Sequence, residues 1–552
     1  MKGIILKACL MGAALVMVSA CSSSTPQAST TTSSASQLFT LEPTPDRKAL
    51  QRTAQGYLAT LLAEPANEQI TLVNANPKLI SKDTQELAIS LPDGKSAQFH
   101  LRDFNTITSG IDGWVGYKPS AWKQKHPSSS SEIDNDPLYY LSIVREGGKL
   151  IGTLRVDGQP YRLDYVGHGQ HALIKVDESK LPPEGEPLVS PEAVDRDDTV
   201  GKVPQSAHST IRVLFVTTNQ LRDKRPNNRA ELASALNDAN QYMINSRIPV
   251  TYELAGFYDA DYDETGRSYN EQLNDIRLAR PFGENVLRER ENLGADMVSM
   301  YSTATQYCGM AWVNSNKLLA HSVISCVGSL AHELGHNFGG GDGWNPNPSE
   351  GSYKNGYKHE SEPKFHTRMV TSHGALGYFS NPEILYQGVP MGSDRHNMAR
   401  LMNERRETIA NFYPPMPQAL NNQGRFEQGS PNTCLEAFIS ARVQFTGCSS
   451  NQGQHWKIEP LAGANTSRIV TQDGISCLIA RADNTVSLEK CPPSVIDGLL
   501  WEVTVQPGDT LKIKRYNHNL CLASTLALRS TPEILPCDNK THQRWMRHAT
   551  AE

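Results

Sequence analysis

Features that the sequence lacks exclude several classes of function. The formal net charge is −5 over 552 residues, so the chain has no excess of basic residues of the kind that binds nucleic acid. After the first 20 residues, no segment is long and apolar enough to span a bilayer. No two cysteines have the Cys-x-x-Cys spacing of many zinc and redox sites. With 38% hydrophobic and 20% charged residues, the bulk of the chain is expected to be globular and multidomain.

The first 20 residues have the composition of a targeting segment. Lys2 and Lys7 provide positive charge, and the apolar stretch over 4–18 is too short for a comfortable membrane span. Residues 15–21 read LVMVSAC, which resembles a bacterial lipobox. The resemblance implies a lipoprotein signal peptide over 1–20, whereas an ordinary secretory signal peptide that contains a cysteine is the alternative.

Cys21 is the residue that the lipobox resemblance implies to be lipidated. A Ser/Thr-rich tether over 21–38 follows it, and Ser22 in place of Asp favours an outer-membrane address. We therefore expect an outer-membrane lipoprotein of the bacterial cell envelope, attached to the membrane through its N-terminal lipid, or else a secreted protein.

The ten cysteines fit an exported protein. Beyond Cys9 and Cys21, the other eight can form four pairs, as expected in an oxidising compartment. Metal binding is the competing interpretation for the first pair, although a disulfide is favoured there. The eight predicted disulfide cysteines are Cys308, Cys326, Cys434, Cys448, Cys477, Cys491, Cys521 and Cys537.

One segment, AHELGHNFGGGD over residues 331–342, carries specific chemistry. His332 and His336 are four residues apart, so on a helix both imidazoles lie on one face and can bind a single zinc ion. Glu333 is next to the first histidine and is placed to polarise a water at that metal. A bare HExxH pattern also occurs by chance on surface helices, so the residues that follow it decide the interpretation.

Those residues extend the motif. Gly339 can adopt the left-handed conformation that ends a helix and turns the chain, and Asp342 follows where a third ligand would meet the metal. The extended motif resembles that of the metzincin metallopeptidases. Residues 365–370, FHTRMV, are similar to the methionine turn of that group, with Met369 as its structural methionine. The resemblance covers about 209–414 and is closest to the reprolysin-like (adamalysin-type) branch.

The resemblance implies an α/β catalytic domain, taken here as 206–415, a Zn²⁺ cofactor, and internal cleavage of protein or glycoprotein substrates. Asp342 departs from the pattern, because most reprolysin-like enzymes have His at that position. A carboxylate is a good zinc ligand, whereas a shifted register would leave the metal only two protein ligands. Glu333 is the implied catalytic base, and the segment 309–313 resembles the edge strand along which metzincins align substrate backbone.

Three repeats follow the peptidase-like region. A Cys-Leu pair recurs at intervals of 43 and 44 residues, and each repeat has a second cysteine and then a tryptophan: Trp456, Trp501 and Trp545. This pattern resembles a ricin-B-type β-trefoil lectin over 418–552. Within that resemblance the three disulfides should each close one repeat.

Sugar binding by the repeats is less well indicated than their fold. Glu436 is the one carboxylate among the three positions directly after Cys-Leu. Glu436 and Gln454 are therefore the candidate glycan-binding residues, although the glutamines and tryptophans also have core roles in such a fold. A surface adhesin or glycan-binding lipoprotein with a relic peptidase domain is the alternative function.

The region over 39–205 alternates apolar and polar residues as half-buried strands do. The part over 152–177 resembles the pro-region that precedes reprolysin-like domains in secreted bacterial peptidases, and 181–204, rich in Pro, Glu and Asp, is predicted to be an exposed linker. No cysteine lies between Cys21 and Cys308, so no thiolate from this region can occupy the zinc. His168 and His171 are possible inhibitory contacts, with a surface or strand role favoured.

Overall fold

A computed structural model describes most of the chain after residue 34. The signal segment with Cys21, most of the tether, and 190–202 of the linker lie outside the described residues. The described ranges are 35–108, 110–189, 203–313, 316–348, 352–413, 423–428, 433–438, 442–448, 451–460, 466–492, 494–496, 498–506, 510–524, 530–538 and 540–548.

The N-terminal region is one ten-stranded sheet with strand order β1-β4-β5-β6-β7-β8-β9-β10-β3-β2. Consecutive strands from β4 to β10 pair antiparallel. Short turns connect most of them, whereas the connection from β6 to β7 contains helix α3. Its inward residues include the fully buried Phe99, Trp114 and Leu141. The strands are β1 (Ser36–Gln37), β2 (Phe39–Leu41), β3 (Asn67–Ala75), β4 (Glu86–Ser90), β5 (Ser96–Thr108), β6 (Ile111–Pro119), β7 (Asn135–Glu146), β8 (Lys149–Val156), β9 (Gln159–Gly167) and β10 (Gln170–Val176). The helices are α1 (Arg47–Thr53), α2 (Gly56–Ala63) and α3 (Ala121–Lys125).

The central region is built on a five-stranded sheet of order β12-β11-β13-β15-β14. Four strands are parallel, and the short edge strand β14 is antiparallel to β15. The strands are β11 (Ser209–Thr217), β12 (Val250–Asp259), β13 (Met297–Tyr301), β14 (Gly309–Ala311), β15 (His321–Ile324), β16 (Lys358–His359), β17 (Phe365–His366), β18 (Asn381–Tyr386) and β19 (Val389–Met391). The helices are α4 (Asn219–Lys224), α5 (Asn228–Asn245), α6 (Tyr269–Leu278), α7 (Phe282–Leu293), α8 (Leu330–Asn337) and α9 (Met398–Ala410).

Helix α5 is buried on two sides. Its apolar residues, among them Leu232, Leu236 and Met243, join the core of the five-stranded sheet. Its polar residues face the N-terminal sheet, where Asp238 accepts hydrogen bonds from Tyr140 and Thr153, both at 2.8 Å. A helix with polar residues on one face usually presents that face to water, but here the face is covered by a second sheet.

The C-terminal region contains twelve strands in one sheet network. Cys434–Cys448, Cys477–Cys491 and Cys521–Cys537 are disulfides, each within one repeat, and Cys308–Cys326 is the fourth. The strands are β20 (Gln423–Gln428), β21 (Thr433–Ala437), β22 (Val443–Gly447), β23 (His455–Pro460), β24 (Ser467–Thr471), β25 (Ser476–Ala480), β26 (Val486–Lys490), β27 (Trp501–Gln506), β28 (Thr510–Arg515), β29 (Leu520–Ala523), β30 (Glu533–Pro536) and β31 (Trp545–His548). The chain is thus multidomain and β-rich.

The same internal contact recurs in each C-terminal repeat. Trp456, Trp501 and Trp545 are all buried. Each indole Nε1 donates to the carbonyl oxygen of the leucine in the Cys-Leu pair, at 2.9, 2.9 and 3.1 Å. Three repeats therefore bury their tryptophans in one shared core. Among the described residues, no helix has the length and apolar character needed to cross a membrane.

Candidate active site

Helix α8 carries the histidine pair and is fully buried. Ser329 precedes it, and His332, Glu333 and His336 each have no exposed surface. The helix ends within three residues of the second histidine, and Gly339 follows with a φ of +100°. Residues with a side chain rarely adopt that backbone conformation, so this glycine lets the chain return and bring Asp342 back to the histidines.

The two imidazoles and the Asp342 carboxylate converge. His332 Nε2 and His336 Nε2 are 3.0 Å apart, and Asp342 Oδ1 lies 2.9 Å from the first and 3.2 Å from the second. Within the part of the chain that the structure describes, these three residues form the one group of metal-binding donor atoms, all within 4.8 Å of one another.

The hydrogen bonds on the far side of each ring fix the tautomers. His332 Nδ1 donates to the carbonyl oxygen of Arg368 at 2.7 Å, and His336 Nδ1 donates to that of Gly340 at 2.8 Å. Because a carbonyl oxygen can only accept, a neutral ring in either position presents a bare lone pair at Nε2. Outer-shell bonds of this kind orient metal-ligating histidines.

Three electron-pair donors this close repel one another unless a cation lies between them. Two imidazole nitrogens and one carboxylate oxygen suit zinc and other divalent transition metals, so the residues fit a metal ion. Burial opposes a charge on His332, but the hydrogen bond and charge of Asp342, the charge of Glu184 and the bond to Arg368 together outweigh it and raise the pKa of the imidazole. Burial likewise opposes ionisation of Asp342, yet both histidines hold its pKa below the ordinary value.

Glu333 is a buried carboxylate beside this group. Neither of its oxygens has a hydrogen-bond partner among the described residues. Burial raises the pKa of Glu333 well above its ordinary value, and the charges of Glu184 and Asp342 add to that shift. An unsatisfied buried carboxylate is costly to a fold, which is typical of a group kept for chemistry.

The edge strand β14 runs directly over Glu333. A Cβ added to Gly309 would lie 2.2 Å from Glu333 Oε1, so no residue larger than glycine fits between the strand and the carboxylate. The backbone of β14 is therefore beside Glu333, and the free edge of this strand can pair with an extended segment.

Met369 lies beneath the site and is fully buried. Its Sδ packs so closely on α8 that a Cβ at Gly335 would be 2.5 Å away. The neighbouring residue Arg368 supplies the carbonyl oxygen that orients His332. The turn around Met369 thus supports the histidine-bearing helix from below, and Met369 provides none of the three donor atoms.

Other histidines in this region lie outside the donor group. His321 is in the buried strand β15, and burial lowers its pKa well below the ordinary value. His366 Nε2 donates to the carbonyl oxygen of His373 at 2.9 Å. In the N-terminal sheet, His171 Nε2 accepts from the Leu150 amide at 3.0 Å, which agrees with a role within the strands. His168 has a φ of +52° in the turn after β9.

The first part of the predicted exposed linker does not lie free in solvent. Residues 183–188, which we call the strap, pair in parallel with β14 and the residues around it. Four backbone bonds join them: Cys308 N to Pro183 O at 2.8 Å, Gly185 N to Gly309 O at 2.9 Å, Leu188 N to Ala311 O at 2.9 Å, and Val313 N to Leu188 O at 2.9 Å. The prediction of an exposed linker is wrong for this segment, because an unpaired strand edge was available to it.

The strap also carries a carboxylate into the cleft. Glu184 Oε1 accepts from Ser329 Oγ at 2.9 Å and from Ser372 Oγ. These three residues could not be found from the sequence, because Glu184 is 145 and 188 positions from the two serines and none of the three belongs to a motif. The one available signal was the acidic composition of the linker.

The candidate glycan residues lie together but are covered. Glu436 is 6% exposed and Gln454 is 1% exposed. The Glu436 carboxylate accepts from Thr446 Oγ1, from Asn451 Nδ2, and from Gln454 Nε2 at 3.2 Å. Both of its oxygens are thus engaged by neighbours within the first repeat.

Comparison with known proteins agrees with this geometry. Residues 229–341 match the reprolysin-like metallopeptidase family M12B. A peptidyl-Asp metalloendopeptidase of Stenotrophomonas maltophilia (strain R551-3) is 29% identical over 388 residues, covering 66% of this chain and 92% of the relative. A second, from Xanthomonas campestris pv. campestris, is 29% identical over 384 residues, covering 66% of this chain and 90% of the relative.

Among solved structures, a designed three-fold symmetric protein, ThreeFoil, is similar with a TM-score of 0.21 and 13% identity, covering 23% of this chain and 99% of that one. So low a score supports no argument about fold or function. The family match includes both histidines and Glu333, and its peptidases depend on a catalytic metal, for which the converging donor atoms provide a site. This chain contains a reprolysin-like M12B metallopeptidase domain, is homologous to peptidyl-Asp metalloendopeptidases, and is a metalloendopeptidase.

Proposed function

We propose that the chain is a zinc-dependent endopeptidase of the bacterial cell envelope that cleaves proteins at acidic residues. The observation that carries the proposal is the convergence of His332, His336 and Asp342 next to a buried, unpartnered Glu333. The tetrahedral preference and the N and O ligands of zinc suit this donor set. His332, His336 and Asp342 would hold the ion, and zinc bound by three protein groups would still accept a water molecule.

In the proposed mechanism, the bound zinc supplies a Lewis acid that lowers the pKa of water and polarises a carbonyl oxygen. The substrate backbone pairs with β14, whose Gly309 allows close approach to the base. Glu333 removes the proton from the attacking water and later delivers it to the leaving amine. Its raised pKa makes Glu333 a stronger base than an exposed carboxylate, which favours removal of the proton from water.

The acidic specificity is proposed from the relatives. Both are named peptidyl-Asp metalloendopeptidases, and the alignments cover most of their length. The present chain already holds one acidic side chain, Glu184, beside its own site. This supports cleavage at aspartate as the specificity to test first.

We further propose that the N-terminal region, 39–205, is a separable pro-region. Its contacts at helix α5 include polar bonds: Tyr57 donates to Glu231 at 2.8 Å, and Asn227, just before the helix, donates to Asp164 at 2.9 Å. A small apolar cluster, in which Ile151 packs with Ala230 and Ala233, lies beside them. The polar groups can be rehydrated when a covering domain leaves, and this part of the contact supports release of the region.

For 418–552 we propose a β-trefoil that docks the peptidase to its target. Three disulfide-closed repeats with equivalent tryptophan contacts support that fold. The internal bonds of Glu436 favour a structural role for this residue over a sugar contact. A glycan array probed with the full chain carrying Glu333→Ala tests sugar binding without proteolysis.

Export and anchoring complete the proposal. Four disulfides are typical of an oxidising compartment. The lipobox-like sequence before Cys21 supports a lipid anchor. Labelling of cells with a palmitate analogue tests it, since a Cys21→Ser chain should lose the label and leave the membrane fraction.

The proposed activity is tested by cleavage-site proteomics. Purified full chain is incubated with a denatured protein mixture, with and without a zinc chelator, and the new termini are sequenced. We expect chelator-sensitive cleavage with Asp strongly enriched next to the cut bond. Chelator-resistant cleavage would refute the zinc assignment, and sensitive cleavage without acidic enrichment would refute only the specificity.

A further inference from the structure

The strap and the two serines that hold it point to a binding site for an acidic side chain. We propose that Ser329 and Ser372 form a carboxylate subsite of the active-site cleft, which binds the acidic side chain of a peptide substrate and which Glu184 fills in the intact chain. The inference deepens the proposed function and rests on it, since it names the residues that would select acidic peptides.

The positions of Ser329 and Ser372 in the fold support the proposal. Ser329 directly precedes helix α8 and lies one helical turn before Glu333, so both are close to the same end of the cleft. Ser372 follows Met369 by three residues, in the loop that passes beneath the site. The two hydroxyl oxygens are 3.1 Å apart, so they can bind one carboxylate oxygen together.

The burial of the two serines also supports the proposal. Ser329 is 1% exposed and Ser372 is 5% exposed. Hydroxyl donors kept from water bind an anion more strongly than exposed ones do. The second oxygen, Glu184 Oε2, is itself buried and has no hydrogen-bond partner among the described residues. The carboxylate is therefore held on one oxygen, and no described residue binds its other oxygen.

The charge of a neighbouring arginine, Arg368, also favours an anion at the serines. Arg368, 6% exposed, lines the same 210 Å³ cavity as both serines. Its Nη1 donates to the carbonyl oxygen of Ser372 at 3.2 Å, and its Nε has no partner among the described residues. A buried guanidinium with an unused donor favours an anion in the cavity. Four carboxylates also line this cavity, but each accepts bonds from other groups: Glu64, Glu178, Glu231 and Asp238.

The path of the strap along β14 brings Glu184 to the serines. Gly185 donates to Gly309, and Gly309 lies against Glu333, so the strap backbone is one strand away from the catalytic carboxylate. A Cβ at Gly185 would be 2.7 Å from Met310 Cε and 2.9 Å from Gly309 O. Glycine at this position therefore lets the strap approach β14 closely enough to place Glu184 in the subsite.

A peptide that binds in this cleft competes with the strap for both β14 and the serines. The intact chain is expected to cleave acidic peptides more slowly than a chain without the Glu184 carboxylate, because its own glutamate competes for the subsite. Removing the Glu184 carboxylate should free the subsite without altering any residue that binds the substrate.

The first arm of the test measures the full chain in its uncut state. Initial rates are recorded on two fluorogenic peptides that differ only by Asp against Asn, while gel electrophoresis shows the chain intact. Glu184→Ala should raise the rate on the Asp peptide at least ~10-fold, the worth of about one hydrogen bond to a charged group. Glu186→Ala is the matched control, since Glu186 is an exposed carboxylate of the same strap, and it should leave the rate unchanged.

The second arm adds a serine substitution to the Glu184→Ala chain. Ser372→Ala should lower the Asp-to-Asn ratio of kcat/KM at least ~10-fold, while zinc content stays the same. Ser299→Ala is the control, because Ser299 is a buried serine paired with Ser322 at 2.9 Å inside the sheet. Ser329→Ala provides a second subsite variant in case Ser372→Ala fails to fold.

Equal rates for wild type and Glu184→Ala would overturn the occupation of the subsite by Glu184. A Glu184→Ala chain that prefers Asp, with an unchanged ratio in both serine variants, would overturn the assignment of Ser329 and Ser372. If the Glu184→Ala chain cleaves both peptides equally, the acidic specificity of the proposed function fails instead. Glu184→Gln, which keeps the shape of the side chain, guards against a folding defect and should show the same direction of change.

Discussion

The third metal ligand is the assignment most open to a decisive test. Asp342→Ala removes the carboxylate whose Oδ1 lies 2.9 Å and 3.2 Å from the two Nε2 atoms. Loss of an outer-shell partner typically weakens metal affinity 10- to 100-fold. Loss of a direct ligand should therefore cost at least ~100-fold, or about 2.7 kcal/mol of zinc binding. Asp342→His should retain most of the affinity, since imidazole is an equally common zinc ligand.

The assay is competition for zinc against a chromophoric chelator, with the metal-free chain prepared first. Asp394→Ala serves as the control, because Asp394 is an exposed carboxylate on a loop of the same region. Affinity should also fall on acidification, since protons compete for both imidazoles. An alanine variant with wild-type affinity and one zinc per chain would show that Asp342 is not a ligand and that the motif has been read in the wrong register.

Three further predictions concern the parts of the chain around the site. A chain that begins near Gln205 should fold and be at least as active as the full chain on an Asp peptide; a folded, zinc-loaded but inactive product would refute the pro-region assignment. Burial raises the pKa of Asp164 to about 6, so the protonated form favours the folded state. The stabilising contribution of protonated Asp164 is therefore fully present below about pH 4 and is lost as the pH rises through about 6. In urea titrations Asp164→Asn should not show this loss of stability, and a pH profile equal to that of the wild type would contradict the prediction. In the C-terminal region Trp501→Ala should lower stability by about 3–5 kcal/mol, measured by calorimetry, whereas a loss under 1 kcal/mol would argue against a shared tryptophan core.

The histidine pair and its base could be predicted from sequence because their geometry is local. A spacing of four residues on a helix fixes the relative position of His332 and His336 whatever surrounds them. Asp342 needed one further fact, the turn at Gly339, and glycine is a readable signal for such a turn. The disulfides within the repeats were likewise readable, because the cysteine spacing recurs.

The strap could not be predicted in the same way. Its pairing with β14 is non-local, and its composition of Pro, Glu and Gly is also that of an exposed linker. The surroundings of helix α5 could not be fully predicted either. Its apolar spacing predicts one buried face, but Glu231 and Asp238 are buried as well. Hydroxyl groups satisfy both carboxylates: those of Tyr57 and Tyr301 bind Glu231, and those of Tyr140 and Thr153 bind Asp238. Periodicity reports apolar contacts and carries no information on polar partners from distant strands.

The proposed mechanism depends most directly on Glu333, which is expected to carry the proton in a metal-loaded site. The decisive measurement is the kcat of Glu333→Ala on a protein substrate, with zinc content determined on the same sample. We expect one zinc per chain, as in the wild type, and a loss of activity of at least ~100-fold. A zinc-loaded Glu333→Ala chain with wild-type kcat would contradict the mechanism.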